Sequence, residues 1–331
     1  MTSLSTSNDA ALPTSMRAAA IDGAGGPEVL TVRTLPLPVQ VSAEFLVRVV
    51  AAGVNPIDAK TRAGSGVFAG IAAFPYVLGN DFSGVVVKSP YDAHPIKVGD
   101  EVYGMMTVPR GSGSYAEYVS VPALQLARKP QGISHIQAAG VPIAALTAWG
   151  AVVQVGTVHE GQKVLIHAGA GGVGHLAVQL ARYFGAYVTA TGSAANLAWL
   201  EELGAHRVID YRASRFEDSV SDQDLVIDLV GNVHADTGTR SLGVLRRGGL
   251  LVNVPSGSWP NLLADAAAAG VRATGYKVSA DGAALAVISR LIESGDLNVT
   301  IERTFPLEDI AAAHTLLEAG HVRGKLVITL D

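Results

Sequence analysis

The run from Val164 to Ala181 limits the fold more than any other stretch of this chain. The aliphatic segment Val164-Leu165-Ile166 stops at a glycine-rich turn, and an Ala/Leu/Val/Gln segment with helical spacing comes directly after it. That is the strand, turn and helix context required of a dinucleotide fingerprint, matched as G-x-G-x-x-G at Gly169, Gly171 and Gly174. The three glycines are expected to make a tight turn, admit a diphosphate close to the backbone and let the helix pack on the strand. The amides of Gly169, Ala170, Gly171, Gly172, Val173 and Gly174 then face the phosphates at a helix N-terminus. On the glycines alone, a loop that merely turns a corner explains the sequence as well. The downstream segments decide against it: Tyr187–Thr191, Arg207–Tyr211, Asp224–Asp228 and Gly249–Asn253 are further strand-like runs separated by helical spacers. That alternation predicts an α/β fold with a doubly wound parallel sheet.

Composition narrows the function. The length of 331 residues suggests two domains, and 49% hydrophobic against 16% charged residues supports buried sheets rather than disorder. A net charge of -5 with no basic block argues against nucleic acid or an anionic membrane as partner, and no uncharged apolar run is long enough for a membrane span. The absence of cysteine removes disulfides, thiolate nucleophiles and thiolate zinc sites. Residues 1–15 are Ser/Thr/Ala-rich without Lys or Arg, which is read as a flexible tail rather than a targeting segment, so the chain is expected in the cytoplasm.

From Met16 to about Gly140 the pattern is short strands punctuated by Gly and Pro, expected at 17–21, 28–33, 44–52, 76–87 and 97–104, with a short helix after Asn55-Pro56. A helix opens at Val141-Pro142. Beyond Tyr276 come a helix at 283–294, a strand near 299–301, a helix at 307–319 and a last strand at 324–330. That tail is too small for a core of its own and is expected to return to the first half.

Several of these runs together resemble the medium-chain dehydrogenase/reductase superfamily: Gly53-Val54-Asn55-Pro56-Ile57-Asp58, Gly79-Asn80-Asp81-Phe82-Ser83-Gly84, Val98-Gly99-Asp100-Glu101-Val102, Gly113-Ser114-Tyr115-Ala116-Glu117-Tyr118-Val119, the fingerprint, and His321-Val322-Arg323-Gly324-Lys325. The similarity runs from about Arg17 to Leu330. It implies a GroES-like β-rich catalytic domain from 16–141 and 280–331, a Rossmann NADP-binding domain at 142–279, a cleft between them and a homodimer through edge strands. Zinc alcohol dehydrogenases of this superfamily carry Cys where this chain has Asn55, and Gly-His-Glu where it has Gly79-Asn80-Asp81. Zinc needs thiolate or imidazole ligands in set geometry, so no metal is expected. The Asn55-to-Lys60 run is similar to the zinc-free quinone oxidoreductase branch and its alkenal and enone reductases. The implied function is an NADPH-dependent reductase of quinones or of the C=C bond in α,β-unsaturated carbonyls. An enoyl-thioester reductase and a non-catalytic NADPH-binding structural or sensor protein are the rivals.

NADPH rather than NADH is expected because no acid occurs between Arg182 and Glu201, where an NAD site presents one to the ribose. Ser193 and Asn196 offer donors there, Tyr211 matches a residue the family uses, and Arg212 adjoins it. The resemblance makes Asn55 and Lys60 the candidates to border the nicotinamide and polarise the substrate, with Tyr76 assisting, and Lys60, Tyr76 or water returning the proton. It also places Thr147, Asn253, Arg323 and Lys325 at the cofactor. Plainer readings stand beside these. Asp58 suits a helix start, Lys60 suits a solvated face, and Asn80 and Asp81 suit a turn. His167 and His175 read as packing or surface residues and Tyr115 and Tyr118 as core aromatics, while Asn253 ends a strand and Arg323 caps a helix.

Overall fold

The computed structural model describes residues 12–330. Most of the expected 1–15 tail lies outside the described residues, and its last member, Ser15, already belongs to the strand Ser15–Ile21. Among the described residues no helix is long and apolar enough to cross a membrane.

Six strands form one sheet in the order Arg207–Asp210, Tyr187–Gly192, Lys163–Ile166, Gln223–Asp228, Leu245–Asn253, Arg272–Gly275, every pair parallel. This is the doubly wound order, and its direction reverses between Lys163–Ile166 and Gln223–Asp228. The sequence explains the burial. Val164 and Ile166 point into the core on one face while Leu165 points into the core on the other, so a short continuous aliphatic run is what both faces demand. The crevice at the carboxyl ends of these two strands is lined by the fingerprint loop and by residues 229–232.

The second sheet is built around Glu44–Val54, which pairs antiparallel with Asp81–Lys88, Tyr118–Pro122 and Lys325–Thr329. The last strand therefore returns to the first half of the chain, and its register sets Leu326 opposite Val54. A smaller sheet joins Thr31–Pro36, Ser15–Ile21 and Tyr76–Val77. The strand expected at 28–33 is shorter at its start: Pro27–Val29 is a single 3-10 turn with Pro fixing the entry, and the strand begins at Thr31. The strand expected near 299–301 is Ile301–Pro306, parallel to Lys325–Thr329.

The helix Gly282–Glu293 carries Leu285, Ile288, Leu291 and Ile292 into the same core as the helices of the parallel sheet. It also meets the other sheet, since Tyr103 donates to the Leu285 carbonyl at 2.8 Å. This helix, just past residue 280, thus packs between the two sheets.

Candidate active site

The helix Gly174–Tyr183 begins directly after the fingerprint loop, with Val173 at its cap offering no side-chain acceptor to the first amides. The expectation that all six loop amides face a ligand is corrected in part: the Gly169 N–H donates to the Thr191 carbonyl at 2.9 Å, the Gly171 N–H to the Ala168 carbonyl at 3.0 Å and the His175 N–H to the Gly171 carbonyl at 3.1 Å, so a ligand would draw on the other amides of this turn. Gly171, Gly172 and Val173 form the half-buried lip, whereas Gly169, Ala170 and Gly174 are buried beneath it. The residue in the left-handed region of this turn is Ala168, at φ +50, and none of the fingerprint glycines is. The glycines serve close approach instead. A Cβ on Gly174 would lie 2.2 Å from the Ala168 carbonyl oxygen, and one on Gly169 would meet Ala190 and Leu200 at 3.0 Å.

His175 is fully buried, donates from Nδ1 to the Gly171 carbonyl at 3.0 Å and accepts the Thr300 N–H on Nε2 at 3.3 Å. A backbone N–H can only donate, so this arrangement fixes the ring tautomer. Burial holds the ring neutral, with its pKa pulled down to about 4. His167 is likewise buried, between the Thr191 and Ser241 hydroxyls. Both are packing residues, and neither pairs with a carboxylate.

Across the seam lies a buried polar cluster. Asn55 precedes the helix Pro56–Arg62, and its N–H is accepted by Asp58 Oδ2 at 2.9 Å, the reaching-back half of a capping box. The Asn55 side chain is spent elsewhere: Nδ2 donates to Asp81 Oδ2 at 2.9 Å, and Oδ1 accepts from the Lys325 ammonium. Lys325 also donates to the Val54 carbonyl at 3.0 Å and lies 3.8 Å from Asp81 Oδ2. Asp81 Oδ1 accepts the Ile143 N–H at 2.8 Å. Asp58 takes Asn80 Nδ2 at 2.6 Å and the Tyr115 hydroxyl at 3.0 Å, and His314 Nε2 lies 3.3 Å from that hydroxyl. Gly79, at φ +101, makes the turn that aims Asn80 and Asp81 inward; a Cβ there would lie 2.5 Å from Ser114 Oγ.

The electrostatics follow from burial. Desolvation pushes Asp58 up to about 7, outweighing the stabilising hydrogen bond from Asn80. Desolvation raises Asp81 to about 6 against the opposing pull of Lys325, and it lowers Lys325 against the attraction of Asp81 and Asp58. The cluster therefore sets the Lys325 amine, its basicity reduced by burial, beside two carboxyl groups with weakened acidity.

The other expected residues divide. Lys60 is exposed on the Pro56–Arg62 helix. The Tyr76 hydroxyl donates to the Gly111 carbonyl at 2.7 Å, outside the Asn55 cluster. Thr147 donates to the Ile143 carbonyl within its own helix at 2.6 Å. Asn253 is committed to Asp228 Oδ2 at 2.9 Å, and Asp228 Oδ1 holds the Val230 and Gly231 amides, so Asn253 braces the crevice loop. Ser193 follows Gly192 and accepts from Asn196 Nδ2 at 3.2 Å, while Tyr211 N–H donates to the Gly192 carbonyl at 3.2 Å. These ends of adjacent strands sit side by side. Beyond them, a cavity of about 420 Å³ is lined by Tyr211, Arg212, Ser214, Arg215 and Arg240. Arg323 is exposed, with its guanidinium 4.2 Å over the Trp199 ring, and the Gly324 N–H donates to the Ala170 carbonyl at 2.9 Å. Lys325, expected at the cofactor, instead directs its ammonium into the Asn55 cluster, because its strand pairs with Glu44–Val54. Asp58, Tyr115 and His314 carried no sequence signal for a shared cluster, whereas Asn80 and Asp81 carried one by occupying positions where zinc relatives hold ligands.

Comparison with known proteins places this geometry. A family model described as alcohol dehydrogenase GroES-like domain matches residues 42–131, and one described as zinc-binding dehydrogenase matches 203–328. The chain is 34% identical to a chloroplastic NADPH-dependent alkenal/one oxidoreductase of Arabidopsis thaliana, covering 97% of this chain and 81% of that protein. It is 32% identical to a mitochondrial NAD(P)H oxidoreductase of Mus musculus, covering 98% and 91%. A solved quinone oxidoreductase from Coxiella burnetii superposes with a TM-score of 0.90 at 39% identity, covering 96% of this chain and all of that one.

Proposed function

Because this chain belongs to the medium-chain dehydrogenase/reductase superfamily, in its quinone and enone reductase-like branch, we propose that it is a zinc-independent NADPH-dependent reductase of quinones or α,β-unsaturated carbonyls. The observation that carries the reading is adjacency. The Gly324 N–H on Ala170 brings the fingerprint loop beside the strand that carries Lys325 into the Asn55 cluster, so a cofactor held on the lip would have its nicotinamide within reach of that cluster.

The lip suits a diphosphate, since its first helical amides meet an apolar cap and the second fingerprint glycine leaves room for close approach. Exposed Arg323 supplies positive charge beside it. Ser193, Asn196 and Tyr211 would hold the 2′-phosphate, with Arg212 beside them; Arg240 is taken up by Glu217 at 2.5 and 2.6 Å. NADPH, when bound, supplies hydride to a carbon made electrophilic by conjugation. The second Nδ2 hydrogen of Asn55 would polarise the acceptor's carbonyl oxygen or orient the nicotinamide amide. Tyr76 is held by Gly111, so proton return falls to water or to exposed Lys60.

The zinc-independent reading rests on the donor set. Asn55 and Asn80 turn amide N–H groups onto carboxylates, and the Lys325 ammonium already supplies the positive charge, an arrangement unsuited to ligating a cation. A homodimer belongs to the same proposal, with Arg272–Gly275 as the outer strand at one edge of the parallel sheet.

The test is a spectrophotometric screen of NADPH oxidation with p-benzoquinone, methyl vinyl ketone and an enoyl thioester, repeated with NADH and with chelator. Turnover of the quinone or enone unaffected by chelator is expected. Turnover of the thioester alone would support that rival, and tight NADPH binding without turnover of any acceptor would replace the enzyme by a binding protein.

A further inference from the structure

Lys325 touches both halves of the site. Its N–H donates to the Thr300 carbonyl at 2.9 Å, immediately after Gly324 has bonded Ala170 in the fingerprint loop. Its stem lies against that loop, since a Cβ on Gly172 would stand 3.0 Å from Lys325 Cδ. Its side chain is 4% exposed, and its ammonium reaches the Val54 carbonyl and Asn55 Oδ1, with Asp81 beyond.

Burying an ammonium costs several kcal/mol before pairing, and an apolar side chain of the same length would fill the space without that cost. What the ammonium adds is donors with no acceptor. An asparagine amide can turn over about its last torsion and exchange oxygen for nitrogen. Here an ammonium that can only donate faces one end of the Asn55 amide, and a carboxylate that accepts faces the other. The turned-over state would set NH2 against ammonium and oxygen against carboxylate, two like-polarity contacts in a buried place. One orientation survives, leaving a single Nδ2 hydrogen in a defined direction.

We propose that Lys325 is a positioning residue: it locks the Asn55 amide in the orientation that offers its remaining N–H to the reacting carbonyl or the nicotinamide amide, and its stem on Gly172 fixes that offer relative to the phosphate loop. This rests on the function proposed above and gives Lys325, expected at the cofactor, a role that acts through Asn55.

The experiment is a double-mutant cycle of Lys325→Met and Asn55→Ala, with steady-state kinetics on NADPH and methyl vinyl ketone or p-benzoquinone, and fluorescence titration of NADPH. Lys325→Met is expected to lower kcat about 10- to 100-fold, the range for a misplaced orienting group, with the NADPH Kd within about threefold. In the Asn55→Ala background it should lower kcat by less than about twofold further, because the group it acts through is gone. Should Lys325→Met fail to fold, Lys325→Gln carries the same cycle. Additive losses in kcat, or a rise in NADPH Kd that accounts for the whole loss, overturn the proposal while leaving the function standing. A wild-type protein that turns over neither acceptor overturns the function, and this assignment with it.

Discussion

Alanine at two fingerprint glycines should separate packing from cofactor contact. At Gly174 a methyl would lie 2.2 Å from the Ala168 carbonyl oxygen and 2.8 Å from Gly169 C and Cα. That carbonyl cannot retreat readily, because it accepts the Gly171 N–H at 3.0 Å within a turn whose pivot, Ala168, sits at φ +50. The overlap is with backbone, so Gly174→Ala should destabilise the ligand-free protein by at least about 1–3 kcal/mol, the usual cost of overpacking. At Gly171 the methyl would meet only the Ala168 oxygen, at 3.3 Å, and otherwise open space on the lip. Its backbone is not left-handed, so alanine also removes chain entropy from the unfolded state, and stability should move by less than about 1 kcal/mol. The same methyl would stand where a diphosphate needs bare backbone. A loss of at least about tenfold in NADPH affinity, about 1.4 kcal/mol, is expected. Urea unfolding without cofactor and fluorescence titration with NADPH read the two quantities separately. Wild-type affinity in Gly171→Ala, or parallel losses of stability and affinity in both variants, would refute this division of labour.

Two further outcomes rest on charge. Ser193→Asp sets a carboxylate at the carboxyl end of the second parallel strand. At about 5 Å from a 2′-phosphate and an effective dielectric near 20, repulsion is roughly 3 kcal/mol per charge pair, so kcat/KM should fall about 100-fold with NADPH and little with NADH; equal losses with both would show that the ribose lies elsewhere. Asp58 is held at about 7 by burial, above 3.8, so it binds its proton more tightly folded than unfolded. Its contribution to stability is full below about pH 4 and is lost as pH rises through about 7; the span from 3.8 to about 7 corresponds to about 4 kcal/mol. Asp58→Asn should accordingly flatten the fall in unfolding free energy between those limits. An unchanged pH slope would mean that Asp58 is ionised throughout.

Asp58 also shows where sequence reasoning stopped. Its place near a helix start was legible, because the Asn55-Pro56 entry and the capping box lie within four residues. That its other oxygen takes Asn80, that the Tyr115 hydroxyl donates to it and that His314 meets that hydroxyl, was not, since each arrives from a different element. Tyr115 read as a core aromatic, and it is one, at 0% exposure; nothing local to it indicates where its hydroxyl points. Asn253 was placed at the crevice by its strand ending, but only the structure shows its amide spent on Asp228.

The chain's own order of residues determined the parallel sheet, the glycine-rich turn and the return of the last strand, because these depend on side-chain period, turn chemistry and lengths of chain, all read within a few residues. Tertiary structure decided the chemistry of the corner: Lys325 meets Asn55 across 270 residues of sequence only because the strand Lys325–Thr329 pairs with Glu44–Val54 in one register. A one-residue slip would turn the ammonium to the opposite face, since side chains alternate along a strand. No local pattern specifies that register; it is set by the burial of Leu326 and Ile328 in one core and Val327 in another.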